Sequence, residues 1–252
     1  KMAPVVDQVL ALLPFEPPLM EAAGVRCDFV GHPVAAEPVA TAEEIAAFRR
    51  ACGVGTAPLL AVLPGSRAGE IARLAPRFGA ALSRLARPDL KVIVPTLPHL
   101  DTRLRQEVAD WPGPPVVLVP DAAAKRAAFA AADAALAASG TVSLELAAAD
   151  TPMAIAYDMA PLTRAIVSRM LRIDTVTLVN LVSETRAVPE CLGTDCTPDC
   201  IARALASLLA EPDPQRAAMA LAMERLGRGG EPPGLRAARA VLDGLEQGAR
   251  SA

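Results

Sequence analysis

The residues best suited to chemistry lie in segment 63–71, which reads Leu-Pro-Gly-Ser-Arg-Ala-Gly-Glu-Ile. The segment follows an apolar, strand-like run and opens a helical pattern, an arrangement typical of phosphate binding. Gly65 permits a tight turn and a close approach of the backbone to a ligand. Ser66 offers a hydroxyl, and Arg67 can donate a planar pair of bonds to phosphate oxygens. The alternative is an ordinary strand-to-helix turn, with Ser66 as the helix cap and Arg67 in solvent.

A second segment of the same kind spans 138–145 and reads Ala-Ser-Gly-Thr-Val-Ser-Leu-Glu. It also follows an apolar run and opens a helix, at the same edge of a parallel sheet. Ser139 and Thr141, on either side of Gly140, can donate to phosphate, and Glu145 can accept from a ribose or sugar hydroxyl. Taken alone, these residues are a helix cap and a solvated acid. Two anion-binding loops on one edge favour a diphosphate ligand.

Short runs rich in Val, Ile, Leu and Ala, each followed by a helix-length stretch, must position these loops. The runs are apolar on consecutive residues, which suits strands that are covered on both faces in a parallel sheet. A capping box at 41–44 and a Thr-Pro pair at 197–198 mark helix starts. The pattern predicts a doubly wound α/β fold with terminal helices and strands at 9–13, 59–63, 92–94, 116–119, 134–138 and 153–156.

The chain divides into three predicted regions. A stretch with Gly and two Pro residues at 31–38 marks a boundary between domains. Residues 1–37 are too few to form a core, so we expect them to be the end of a larger amino-terminal domain. Residues 38–212 form the α/β domain, and residues 213–252 form terminal helices.

The composition argues against several classes of protein. The 252 residues include 25 Lys+Arg and 28 Asp+Glu, a net charge of -3, without the basic excess that nucleic-acid binding requires. No segment reaches the ~18 uninterrupted apolar residues of a membrane span. Five cysteines, an odd count, predict reduced thiols in the cytoplasm. The spacing of the three cysteines within 191–200 does not match a zinc site, and we expect no metal.

Five segments occur in the order and spacing of a known family: 12–16, 29–33, 63–67, 138–141 and 179–181. With them, the chain resembles lipid-A-disaccharide synthase over essentially its whole length. The resemblance implies the Rossmann-like carboxyl-terminal half of a two-domain, GT-B glycosyltransferase, the half that holds UDP. The implied reaction is an inverting transfer from UDP-2,3-diacylglucosamine to the 6-hydroxyl of 2,3-diacylglucosamine 1-phosphate. Its products are the disaccharide 1-phosphate and UDP, so the UDP-sugar is a substrate and no cofactor is needed.

The resemblance also assigns roles to both loops. Arg67 would stabilise the charge that develops on the leaving UDP, so no divalent metal is required. Glu145 would accept from a ribose or sugar hydroxyl. Asn180 would be a polar donor-site residue, although its surroundings alone favour a turn residue that satisfies its own backbone. The implied donor-site residues are Gly65, Ser66, Arg67, Ser139, Gly140, Thr141, Glu145 and Asn180.

The amino-terminal domain of the family is represented here only by its last elements. The acceptor site and the carboxylate base belong to that domain, so no catalytic base is assigned. His32, in a Gly-His-Pro linker, is an alternative base, but a histidine between two domains is more often an orienting or capping residue. We therefore expect these 252 residues to bind UDP or the donor with negligible turnover.

Two further segments bear on partners. Residues 163–173 place apolar side chains among three arginines, a basic amphipathic helix that can rest on an acidic membrane surface. The alternative is a helix that faces the core with solvated arginines. The membrane interpretation predicts a cytoplasmic protein, peripheral on the inner face of the bacterial inner membrane. In the family, the terminal helices cross to the other domain or to a second subunit, so 235–245 is a candidate homodimer contact.

Two other functions fit the same architecture. One is a different UDP-sugar enzyme, such as a UDP-N-acetylglucosamine 2-epimerase or another UDP-sugar transferase. An epimerase needs its own acids and bases, which two histidines and an incomplete first domain do not supply. The other is a non-catalytic nucleotide-binding module.

Overall fold

Two units make up the chain, and each has its own packing. The larger unit is Val39–Met219, and the smaller combines Lys1–Pro38 with Ala220–Ala252. The sequence-based boundaries lie after residues 37 and 212. The structure is a computed structural model that describes residues 5–113, 115–158 and 174–251, the last five of these by backbone alone.

The smaller unit begins with a parallel pair of strands. β1 (Gln8–Ala11) and β2 (Arg26–Phe29) are joined by α1 (Glu16–Ala22). A 3-10 turn at Pro33–Ala36 follows, and the Nδ1 atom of His32 accepts the backbone N–H of Val34 at 3.2 Å. His32 is therefore a capping residue of this turn, the alternative that the sequence favoured over a catalytic base.

The larger unit is built on a six-stranded parallel sheet, which confirms the predicted α/β class. The strands are β3 (Leu59–Leu63), β4 (Lys91–Pro95), β5 (Val116–Leu118), β6 (Ala134–Ala137), β7 (Met153–Tyr157) and β8 (Glu190–Leu192). The strand order is β5-β4-β3-β6-β7-β8, and every neighbouring pair is parallel. The four central strands each bury four consecutive residues, because both faces of the sheet are covered there.

Helices cover both faces of this sheet, as a doubly wound fold requires. The helices of this unit are α2 (Ala42–Ala51), α3 (Ala68–Leu85), α4 (Asp101–Glu107), α5 (Ala122–Ala131), α6 (Val142–Ala148), α7 (Leu178–Ser183) and α8 (Pro198–Ala210). One face of the sheet packs against α3, α4 and α8, which bury Phe78, Leu104 and Leu205 against the strands. On the other face, α5 contacts β3 and β4, and α2 packs on α5.

A disulfide joins the edge strand to the following helix. Cys191 in β8 is bonded to Cys200 in the first turn of α8. The prediction of reduced thiols is wrong for this pair, because the fold brings together two residues that sequence spacing alone did not relate. Cys27, Cys52 and Cys196 are free thiols.

Two helices close the chain. The boundary between the units falls within α9 (Asp213–Arg225), after Met219. α10 (Pro233–Ser251) packs against β1 within the smaller unit. Arg236 of α10 donates to the carbonyl of Phe29 at 2.8 Å and lies 4.9 Å from the centre of its ring. Leu235, Leu242 and Leu245 of α10 are exposed within the chain. The homodimer contact stays a prediction.

Two of the predictions concern membranes. The predicted basic amphipathic helix at 163–173 lies outside the described residues. Within the ranges that the structure describes, no helix combines the length and apolar character needed to cross a membrane.

Candidate functional site

The two predicted loops lie side by side at the carboxyl edge of the sheet. They follow β3 and β6, which are neighbours in register, with Leu63 opposite Ala137. The backbone N–H of Ala138 donates to the carbonyl of Leu63 at 2.8 Å, so the pairing continues to the start of both loops. From this point β4 and β5 extend the sheet to one side, and β7 and β8 to the other. This is the topological switch point, where open α/β sheets bind ligands.

A cavity of about 430 Å³ opens between the loops. Seven of the eight predicted donor-site residues line it, and the loops after β4 and β5 complete the wall. The lining residues are Leu63, Gly65, Ser66, Arg67, Glu70, Pro95, Thr96, Leu97, Pro120, Lys125, Ala138, Ser139, Gly140, Thr141, Val142 and Glu145.

The first loop turns at Gly65, whose φ of +123° lies in a region that side-chain-bearing residues rarely adopt. The turn leads to Arg67, the residue that precedes α3, and its side chain is 79% exposed. The backbone N–H of Ser66 does not face the cavity freely, because it donates to the Glu70 carboxylate at 3.1 Å. The Ser66 N–H is thus occupied by Glu70, while most of the Arg67 guanidinium is available to a phosphate.

The second loop presents two hydroxyls. Gly140 has a φ of +155°, and its carbonyl accepts the Ser143 hydroxyl at 2.9 Å. This hydrogen bond links the loop to the first turn of α6. Among the described residues, none forms a hydrogen bond with the Ser139 or Thr141 hydroxyl. Thr141 also does not cap α6 with its side chain. Both hydroxyls can therefore donate to a ligand in the cavity.

The charges of the cavity are paired. Arg67 contacts Glu70, with 2.9 Å between Nη1 and Oε1, and Lys125 forms an ion pair with Glu145. Lys125 also lies 5.6 Å from the centre of the Phe129 ring. The lining has two cations and two carboxylates, so its formal charge is zero. An anionic ligand would bind to cations whose positions these ion pairs already fix.

Asn180 does not line this cavity, and its place in the donor site stays a prediction. Its side chain is fully buried. The amide oxygen accepts the Val188 N–H at 3.0 Å, and the amide nitrogen donates to the Val188 carbonyl at 2.9 Å and to the Thr175 hydroxyl at 3.2 Å. The amide thus satisfies backbone groups of a buried loop, close to the alternative that its sequence surroundings favoured.

Sequence reasoning missed Glu70 and Lys125. A signal for Glu70 was present, because a residue three positions after Arg67 shares its helix face. Lys125 is one of only three lysines in a chain rich in arginine, but that rarity does not locate it. Its proximity to Glu145 depends on how α5 packs against β3 and β4. In the described part of the chain, no three His, Cys, Asp or Glu side chains are grouped as metal ligands.

Comparison with known proteins adds a family to this geometry. A family model described as lipid-A-disaccharide synthetase matches residues 1–231. The chain belongs to this family.

Individual lipid-A-disaccharide synthases agree with this assignment. The synthase of Ruegeria pomeroyi is 64% identical over 254 residues, which cover 97% of this chain and 63% of that protein. The synthase of Rhodospirillum centenum is 48% identical over 96% of this chain and 62% of its own length. The chain therefore spans somewhat less than two thirds of these relatives.

Solved structures share the fold at low sequence identity. A UDP-GlcNAc 2-epimerase from Neisseria meningitidis, bound to UDP-GlcNAc, has a TM-score of 0.59 at 12% identity, covering 94% of this chain and 61% of the epimerase. HepE from Anabaena, in complex with UDP-glucose, has the same TM-score and identity, covering 98% and 65%. The glycosyltransferase WaaG has a TM-score of 0.51 at 14% identity, covering 80% and 51%. The synthase family member thus has the Rossmann-like fold of GT-B glycosyltransferases.

Proposed function

We propose that this chain is the donor-binding part of a lipid-A-disaccharide synthase, a glycosyltransferase of lipid A biosynthesis. It binds the UDP moiety of UDP-2,3-diacylglucosamine in the cavity between the loops after β3 and β6. The whole enzyme transfers the diacylglucosaminyl group to the 6-hydroxyl of 2,3-diacylglucosamine 1-phosphate and releases UDP.

The observation that carries this proposal is the meeting of the two loops at the switch point of the sheet. A diphosphate between them lies within reach of the Arg67 guanidinium and of the hydroxyls of Ser66, Ser139 and Thr141. The carboxylate of Glu145 supplies an acceptor for a ribose hydroxyl. HepE and the Neisseria epimerase share only the fold with this chain, but each holds a UDP-sugar, which is consistent with the assignment.

The chemistry required of this part is the stabilisation of a leaving group. As the anomeric bond breaks, negative charge develops on UDP, and a positioned guanidinium stabilises that charge more in the transition state than in the ground state. Arg67 supplies the charge without a metal ion or a cofactor. An inverting transfer also needs a base for the acceptor hydroxyl.

The base and the acceptor site are proposed to lie in the part of the synthase that these 252 residues do not span. On that basis, the chain binds UDP but shows negligible turnover alone. We further propose a cytoplasmic protein that works at the inner face of the inner membrane, because both substrates carry acyl chains. A homodimer through α10 is part of the same proposal.

Calorimetric titration with UDP tests the proposal, and the Arg67→Gln variant tests the role assigned to Arg67. A matched control is Arg84→Gln, at the other end of α3, where Arg84 pairs with Asp199 at 47% exposure. We expect UDP to bind the native chain, Arg67→Gln to weaken binding at least tenfold, or about 1.4 kcal/mol, and Arg84→Gln to leave it unchanged. Absence of binding, or equal losses in both variants, contradicts the proposal.

A second assay separates a half-enzyme from a binding module. The chain is mixed with the separately produced amino-terminal part of the Ruegeria pomeroyi synthase, and transfer between the two lipid substrates is followed. Recovered transfer supports the synthase. UDP binding without recovered transfer supports the non-catalytic module instead.

A further inference from the structure

Glu70 is the least exposed charged side chain of the cavity, at 11%. It lies in the first turn of α3 and folds back under the first loop. A Cβ atom placed on Gly65 would lie 2.6 Å from the Cβ of Glu70 and 2.7 Å from its Oε2 atom. The missing side chain at position 65 is therefore what makes room for the carboxylate.

The two carboxylate oxygens of Glu70 have different partners. Oε2 accepts the backbone N–H of Ser66 at 3.1 Å, and Oε1 accepts from Nη1 of Arg67 at 2.9 Å. Within the described ranges, Glu70 is the only residue that bonds the Arg67 guanidinium. Since that guanidinium is otherwise exposed to solvent, this contact fixes its direction.

The contact also determines which part of Arg67 remains for a ligand. A guanidinium has five N–H donors in a planar fork. With Nη1 engaged by Glu70, the Nε and Nη2 edge is free, and this edge can bind two oxygens of one phosphate side by side.

We propose that Glu70 is a positioning residue that holds Arg67 so that its Nε and Nη2 atoms face the diphosphate of the donor. The inference rests on the proposed function, because it concerns the same site. Its physical basis is pre-organisation: an arginine held before binding loses less side-chain freedom when the phosphate arrives.

A competing role has the opposite sign. The Glu70 carboxylate accepts from the two groups that a phosphate would use, so it can be regarded as an internal competitor. Its removal would then strengthen UDP binding. The geometry favours positioning, because the carboxylate is under the loop and leaves the Nε and Nη2 edge of Arg67 unoccupied.

A double-mutant cycle distinguishes these roles. The variants are Glu70→Gln, Arg67→Gln and the double variant, with UDP affinity measured by calorimetry and folding by thermal melting. Glutamine keeps an oxygen for the Ser66 N–H but loses the charge that holds Arg67. A matched control is Asp213→Asn, which removes the same charge from another i,i+3 pair with Arg216, at 3.0 Å and away from the cavity.

We expect Glu70→Gln to weaken UDP binding about fivefold, as for the loss of one partly exposed ion pair. In the Arg67→Gln background, the same change should alter affinity less than about twofold, because Glu70 then has no guanidinium to position. The control should not change affinity. A purely structural role would lower affinity equally in both backgrounds.

Three results overturn the inference. Tighter UDP binding by Glu70→Gln identifies a competitor. Equal losses of UDP affinity with and without Arg67 show that Glu70 acts on the loop rather than on the guanidinium. Unchanged UDP affinity in both backgrounds shows that Glu70 has no role in binding. If the native chain does not bind UDP, the proposed function fails first, so the two failures are distinct. Should Glu70→Gln melt far below the native chain, Glu70→Asp, which keeps the charge but shortens the reach, replaces it in the same cycle.

Discussion

The role of Asn180 can be decided by truncating its side chain. The Asn180→Ala variant leaves the N–H and the carbonyl of Val188 without the partners they have at 3.0 and 2.9 Å. Val188 is 2% exposed, so water does not replace the amide. Each buried polar group that loses its partner costs about 1–3 kcal/mol, so for the two groups we expect a loss of roughly 2–6 kcal/mol in the free energy of unfolding.

A loss of that size is large against the total stability of a domain, which is about 5–15 kcal/mol. At roughly 2–4 °C per kcal/mol for a chain of this length, the midpoint of thermal unfolding should fall by roughly 4–24 °C. Urea unfolding, followed by circular dichroism, measures the change directly. UDP affinity at a temperature where the variant is folded should stay within about twofold of the native value, since Asn180 does not line the cavity.

Ser183→Ala is the matched control, because it truncates another buried polar side chain of α7. The Ser183 hydroxyl donates to the Val179 carbonyl one turn earlier at 2.7 Å. Its loss should cost only about 1 kcal/mol, since the carbonyl lies within the helix. A stable Asn180→Ala variant that loses UDP binding would refute the structural role and support the predicted place of Asn180 in the donor site.

Three further predictions follow from the same geometry. Gly65→Ala should destabilise the chain by about 1–3 kcal/mol and weaken UDP binding more than the control Gly53→Ala does, because both glycines have positive φ but only a Cβ at position 65 meets Glu70. Equal effects of the two substitutions in calorimetry and urea unfolding would contradict this. Lys125→Met should weaken UDP binding roughly tenfold, because the cavity then carries a net negative charge. Unchanged UDP affinity would show that Lys125 only holds its carboxylate partner, Glu145. Cys200→Ser should lower the free energy of unfolding by about 2–3 kcal/mol relative to the oxidised chain, since the disulfide closes a loop with a sequence separation of 9. A urea unfolding midpoint of the native chain that is the same with and without reductant would contradict this.

Much of the fold could be predicted because the signals are local. Strands buried on both faces require consecutive apolar residues, so runs such as 59–63 and 134–138 coincide with β3 and β6 nearly residue for residue. The glycines of both loops then follow from where the strands end. Because parallel strands share one carboxyl edge, the joint placement of Arg67 and Thr141 could also be predicted.

The remaining features depend on contacts between distant or folded-back segments, which spacing does not encode. The Glu70 carboxylate takes the Ser66 N–H because the turn at Gly65 brings it underneath, and this requires the actual backbone path. The disulfide joins two cysteines nine positions apart, and that spacing alone does not identify them as a pair. Asn180 was assigned to the donor site by resemblance, whereas its bonds to Val188 depend on a loop eight residues later.

A crystal structure of the chain with UDP tests the central claim most directly. We predict the diphosphate between the loops after β3 and β6, with its oxygens about 2.7–3.2 Å from the Arg67 guanidinium and from at least one of the Ser139 and Thr141 hydroxyls. UDP bound elsewhere on the chain, or phosphates that contact neither loop, would contradict the account.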